Sequence, residues 1–131
     1  MTEEAFARAF EHGSVTPAEF DHVAHVRVAW VYLREAASSE EALTRMRDGI
    51  LRFAAAAGAS NKYHETITVF WMRVLENVKA RGASGELADV LRAHPALADK
   101  DLPLQYYSRE RLFSDEARAA WIEPDRQPLN P

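Results

Sequence analysis

The chain has 131 residues, of which 47% are hydrophobic, and it carries a net charge of −4 with a pI near 5.7. This length suits one domain with its own core, and the mild acidity argues against a nucleic-acid partner, which needs a concentrated basic patch. Cysteine is absent, so disulfides and thiolate-ligated metals are excluded.

Helix start and stop signals recur along the first part of the chain. Residues 2–12 place two phenylalanines on one side, which predicts a short helix that ends at the following glycine. The Thr-Pro-x-Glu start at 16–19 combines a capping threonine, a proline at the first helical position and a glutamate that can reach back. It predicts that a second helix begins there and runs to about Ala37.

Two further long helices are predicted by the same signals. A second capping box at 38–41 opens a helix whose apolar residues, spaced by three and four, continue until Gly58. Serine or asparagine at 60–61 caps the third long helix. No segment alternates apolar and polar residues with the period of two that is typical of strands, so we expect an all-α chain. The predicted architecture is a compact bundle of three long helices plus short flanking helices over residues 1–122, followed by a Pro-rich arm at 123–131 that packs back or frays.

No apolar stretch approaches the roughly 20 residues that a membrane span requires. The longest one, at 24–33, is interrupted by His25 and Arg27. The N-terminus begins with acidic residues and no apolar run follows, which does not fit a signal peptide. We therefore expect no membrane partner and a cytoplasmic location.

Three histidines form the main candidate site. His22 and His25 fall on or beside the apolar stripe of the second helix, and His64 lies at the edge of the stripe on the third long helix. Buried imidazoles need partners for both nitrogens, and a shared metal ion would supply one. We therefore predict a site for a divalent metal (Zn, Fe, Mn or Ni) with His22, His25 and His64 as ligands. Glu65 would be the general base of a small enzyme acting on a small molecule.

The alternative is a non-catalytic helical module that binds a small ligand or a partner chain. His-x-x-His occurs often by chance, His22 can bond to a backbone carbonyl, and His64 can pair with Thr68 one turn later. In this interpretation the histidines are buried structural or pH-sensitive groups. The sequence names no substrate, and it leaves a homodimer open.

Four residues are candidate substrate contacts. Tyr63 and Thr68 lie beside His64, and Tyr106 and Arg109 lie in an aromatic and basic stretch before the last predicted helix. That stretch can reach over a pocket mouth, where Arg109 can hold an anion. The alternative is that the tyrosine is a packing residue and the arginine is solvated.

Several blocks of the sequence together resemble a group of small bacterial all-helical proteins of unassigned function. The blocks are Phe-Asp-His-Val-Ala-His-Val-Arg-Val-Ala-Trp at 20–30, Lys-Tyr-His-Glu-Thr at 62–66, Tyr-Tyr-Ser at 106–108 with Leu-Phe-Ser at 112–114, and Trp-Ile-Glu-Pro-Asp at 121–125. The resemblance covers most of the chain and implies an all-helical fold, but no activity. In helix count and histidine placement the chain also resembles small metal-binding bundles of the DinB type, although the histidine spacing differs.

Overall fold

The computed structural model describes residues 1–129, and within them the chain is helical and contains no β-strand, which confirms the predicted fold class. The α-helices of this part of the chain are α1 Glu3–Glu11, α2 His22–Glu35, α3 Ser39–Ala56, α4 Glu65–Ala80, α5 Leu87–Ala93, α6 Arg109–Leu112 and α7 Asp115–Ala119. Short 3-10 helices lie at Ser60–Lys62, Pro95–Ala98 and Leu102–Gln105. Among the described residues, no helix has the length and apolar character needed to cross a membrane.

The second helix starts later than its capping box predicted. Thr16 and Glu19 do exchange hydrogen bonds: the Thr16 N–H donates to Glu19 Oε1 at 2.8 Å, and the Glu19 N–H donates to Thr16 Oγ1 at 3.3 Å. These hydrogen bonds close a single turn and do not start a helix. Helix α2 begins at His22, where the Asp21 carboxylate accepts from the Ala24 N–H at 2.9 Å. The predicted start was therefore wrong, because a second good cap follows the first.

The limits of α3 follow the sequence signals closely. Ser38 Oγ accepts from the Glu41 N–H at 3.1 Å, and the Glu41 carboxylate accepts from the Ala37 N–H at 2.8 Å. After the helix, Gly58 adopts a φ of 71°, a left-handed conformation that glycine reaches without steric cost. Local chemistry is enough to define this helix.

The core lies where α2 packs against α1, α3 and α4. Its largest fully buried side chains include Trp30, Trp71, Tyr32, Tyr107, Phe70 and Met46. The helical spacing of apolar residues predicts six stripe centres on the long helices, and three of them are buried, namely Leu33, Trp71 and Leu75. Three others are only partly buried and pack at the edge of the core: Ile50, Phe53 and Ile67.

The C-terminal arm packs against the rest of the chain. The Arg126 N–H donates to the Tyr106 carbonyl at 2.8 Å, and Arg126 Nη1 donates to the Leu104 carbonyl at 2.9 Å. Of the two outcomes left open for the arm, packing is the one observed for residues 123–129. The last two positions of the predicted arm, 130 and 131, lie outside the described residues.

Candidate functional site

His64 is the N-terminal cap of α4, and both of its ring nitrogens are engaged. Nδ1 accepts from the Ile67 N–H at 3.1 Å, and Nε2 donates to the Leu112 carbonyl at 2.6 Å. Burial lowers the pKa of His64, the bond to Leu112 opposes that shift, and the charge of Arg118 adds to it. The ring is therefore a neutral tautomer held by backbone groups. The predicted cap at 60–61 was wrong, since those residues belong to a separate 3-10 helix.

His22 and His25 lie together at the start of α2, with ring centroids 6.4 Å apart. His22 Nε2 donates to the Leu97 carbonyl at 2.9 Å, and its ring packs 4.5 Å from that of Trp71. His25 meets Phe20 edge to face at 6.0 Å. Within residues 1–129 the His25 ring has no hydrogen-bond partner, so its nitrogens remain uncommitted.

The chemistry of His25 is that of a neutral imidazole. Burial, with a smaller contribution from the neighbouring His22, lowers its pKa to about 4. Near pH 7 the ring therefore carries one N–H donor and one free lone pair. A group of this kind can accept a proton from a ligand or bind one ligand atom.

The predicted metal centre is not assembled in the described residues. Within residues 1–129, no group of three or more histidine or carboxylate side chains is placed to hold a metal ion. The structure brings His22 and His25 together, but it commits His64 to two backbone partners. The convergence of three rings on one point is therefore not found there.

Glu65, the predicted general base, is held in an ion pair. Its carboxylate accepts from Arg47 Nε at 3.0 Å and Nη2 at 2.6 Å, and from the Tyr63 hydroxyl at 2.5 Å. Burial would raise the pKa of Glu65, but the bonds from Arg47 and Tyr63 outweigh burial and lower it. Because a general base works best with a pKa near the working pH, this carboxylate is poorly suited to that role.

Arg47 was not predicted as a residue of this site, although its position in the sequence indicates an ion pair. It lies four residues after Leu43 and three before Ile50, which places a cation on an otherwise apolar stripe of α3. Such a cation needs an acidic partner on the neighbouring helix. Glu65, which was singled out for another role, is that partner.

Tyr63 and Thr68 also serve the local structure of this corner. Burial, together with the bond to Glu65, raises the pKa of Tyr63 to about 12. The buried Thr68 hydroxyl donates to the backbone carbonyl of His64 at 2.9 Å, so the expected pairing involves the main chain and not the imidazole. Both predicted substrate contacts thus have internal partners.

Tyr106 and Arg109, the other two predicted substrate contacts, pack against aromatic side chains. Tyr106 packs edge to face on Phe70 at 5.4 Å, as expected for a packing residue. The Arg109 guanidinium lies over the exposed Phe113 ring at 5.8 Å. No acidic side chain in the described part of the chain pairs with Arg109.

A cleft that the sequence did not predict lies between the end of α1, the following turn and the C-terminal part of α3. It encloses about 490 Å³. Its apolar lining consists of Phe10, Val15, Pro17, Phe53, Ala56 and Ala57, and polar groups come from Glu11, His12, Ser14, Thr16 and Arg52. The sequence signal for this space is the run of alanines at 54–57, because their small side chains fill little volume at the end of α3.

Phe10 and Phe53 line one wall of the cleft, and both rings pack against Phe20. Phe10 and Phe20 are stacked with centroids 4.7 Å apart, and Phe53 lies 4.8 Å from Phe20. Through Phe20 this wall contacts His25. Aromatic pairs at such distances are favourable beyond their buried area, so the three rings stabilise one another.

Known proteins provide no further guide to the site. No family model matches the chain, and no curated protein or solved structure shows significant similarity to it. The roles of its residues therefore follow from their contacts.

Proposed function

We propose that this chain is a non-catalytic helical module that binds a small molecule in the cleft between α1 and α3. The supporting observation is the cleft itself, since its volume of about 490 Å³ lies in the range of small-molecule sites. Its lining also fits that class, with aromatic and aliphatic walls and a few polar groups at one side. In this proposal α2, α3 and α4 form the bundle that holds the walls in place.

The positions of the histidines favour binding over catalysis. His64 and His22 bond to backbone carbonyls of distant segments, as structural histidines do. Glu65 is already paired with Arg47. Of the residues that the sequence suggested for acid–base or metal chemistry, His22 and His64 are thus bonded to the main chain and Glu65 to Arg47.

A pair of matched variants tests this proposal. Ala56 lines the cleft, whereas the neighbouring Ala55 does not, and both are exposed on α3. We expect the neutral fluorescent probe N-phenyl-1-naphthylamine to bind the wild-type protein with 1:1 stoichiometry. Ala56→Phe should weaken binding by about tenfold or more by filling the cleft, while Ala55→Phe should leave it unchanged. Absence of binding to the wild type, or equal binding by Ala56→Phe, would refute the proposal.

A second candidate is a metal-dependent or histidine-assisted enzyme, which the uncommitted ring of His25 beside His22 favours. A three-histidine version requires His64 to release both Ile67 and Leu112. Elemental analysis of protein purified without a His-tag distinguishes the two candidates. Stoichiometric metal that is lost in His25→Ala supports the enzyme, and its absence supports the binding module.

A further inference from the structure

We infer that the ligand of the cleft is an amphiphilic anion, with an apolar or aromatic body against Phe10 and Phe53 and one carboxylate-like group held by Arg52; this inference rests on the proposed function. Arg52 lies on α3 at the side of the cleft. No acidic side chain within residues 1–129 forms an ion pair with Arg52, so its charge is available.

The other arginines of this region are already neutralised. Arg8 pairs with Glu11 at 3.0 Å and with Glu35 at 2.9 Å, and Arg45 pairs with Glu35 at 3.1 Å. On the same helix as Arg52, Arg47 is bound to Glu65. Arg52 therefore differs from its neighbours in facing the cleft without a carboxylate.

The acidic groups near the cleft do not cancel this charge. Glu11, which lines the cleft, accepts from the Tyr32 hydroxyl at 2.7 Å and also lies 3.4 Å from Arg45. Glu19 binds the N–H and the hydroxyl of Thr16, which satisfies it within its own turn. An anionic ligand group thus meets one unpaired guanidinium beside carboxylates that already have partners.

The apolar wall of the cleft indicates the chemistry of the uncharged part of the ligand. Phe10 and Phe53, with centroids 5.7 Å apart, present aromatic surface to the cleft. Val15 and the alanines of α3 add aliphatic surface to a cleft of about 490 Å³. A charged group at one end and an apolar body at the other therefore complement this lining.

Two probes that differ by a single charged group test this inference. N-Phenyl-1-naphthylamine is neutral, and 8-anilinonaphthalene-1-sulfonate is the same phenylnaphthylamine body with a sulfonate. We expect the wild type to bind the anionic probe more tightly at pH 7.5. Arg52→Gln should weaken binding of the anion about tenfold more than binding of the neutral probe, as for a lost charged hydrogen bond. Arg52→Lys should restore part of the loss.

Arg81→Gln is the matched control, because Arg81 is exposed and does not line the cleft. Near-ultraviolet circular dichroism and 1:1 stoichiometry show that each variant is folded, since the anionic probe also binds partly unfolded chains. If the wild type binds the neutral probe without preference for the anion, or if Arg52→Gln weakens both probes equally, the inference fails and the proposed function stands. If the neutral probe does not bind the wild type, the proposed function fails, and the inference fails with it.

Discussion

Gly49 lies directly against the ring of Phe10: a Cβ atom at Gly49 would come within 2.7 Å of Phe10 Cε2. Gly49 is buried in the middle of α3, where glycine costs about 1 kcal/mol relative to alanine. The missing side chain lets α1 approach α3 closely. It also determines where Phe10 sits in the wall of the cleft.

Replacing Gly49 with alanine should therefore destabilise the fold despite the better helix propensity of alanine. We expect a loss of about 1–3 kcal/mol in the free energy of unfolding, because Phe10 is stacked on Phe20 and cannot move aside freely. Urea denaturation measures the loss, with Asp48→Ala on the exposed side of α3 as the control. A Gly49→Ala protein as stable as the wild type would show that the contact relaxes easily.

His64 should contribute stability through its two backbone partners. His64→Ala removes the cap on the Ile67 N–H and leaves the Leu112 carbonyl without its donor, which should cost about 2–4 kcal/mol. His64→Asn can still cap the helix and should recover about 1 kcal/mol. Urea denaturation with and without a chelator separates this role from metal binding. Wild-type stability that falls on addition of chelator would contradict a purely structural role.

Thr66 should anchor residues 120–122, from which the C-terminal arm continues. Its buried hydroxyl donates to the Ala120 carbonyl at 2.8 Å and accepts from the Ile122 N–H at 3.3 Å. The nearly isosteric Thr66→Val removes both bonds and should cost about 1–3 kcal/mol. Hydrogen exchange at the Ile122 amide should accelerate, whereas the exposed Thr44→Val should change neither quantity. Unchanged protection of that amide would mean that packing alone holds residues 120–122.

His25 should make the protein less stable in acid. Its folded pKa is about 4, below the ordinary 6.5, so between these values the unfolded chain binds the extra proton more readily. Stability should therefore fall as the pH drops from about 6.5 to about 4, and this contribution should level off below that. In His25→Gln the decline should be shallower, and His94→Gln, at an exposed site, should follow the wild type. Urea midpoints across this pH range measure the difference, and identical profiles for His25→Gln and the wild type would contradict it.

The sequence by itself determined the helical class of the described chain and the limits of α3. Its signals act over a few residues: the Ser38 and Glu41 side chains reach amides three or four positions away, and Gly58 ends the helix through its own φ angle. Apolar residues at helical spacing likewise identified Leu33, Trp71 and Leu75 as buried. Features that depend on such local patterns can be predicted without knowledge of the fold.

Only the tertiary structure decided the start of α2, the role of His64 and the existence of the cleft. Two competent caps, at Thr16 and Asp21, lie close together, and the one that opens the helix leaves Phe20 stacked on Phe10. The partner of His64 is a carbonyl 48 residues away. The cleft is space between α1 and α3, which belongs to neither helix alone. Each of these depends on contacts between distant segments, and residue type and spacing do not specify which segments meet.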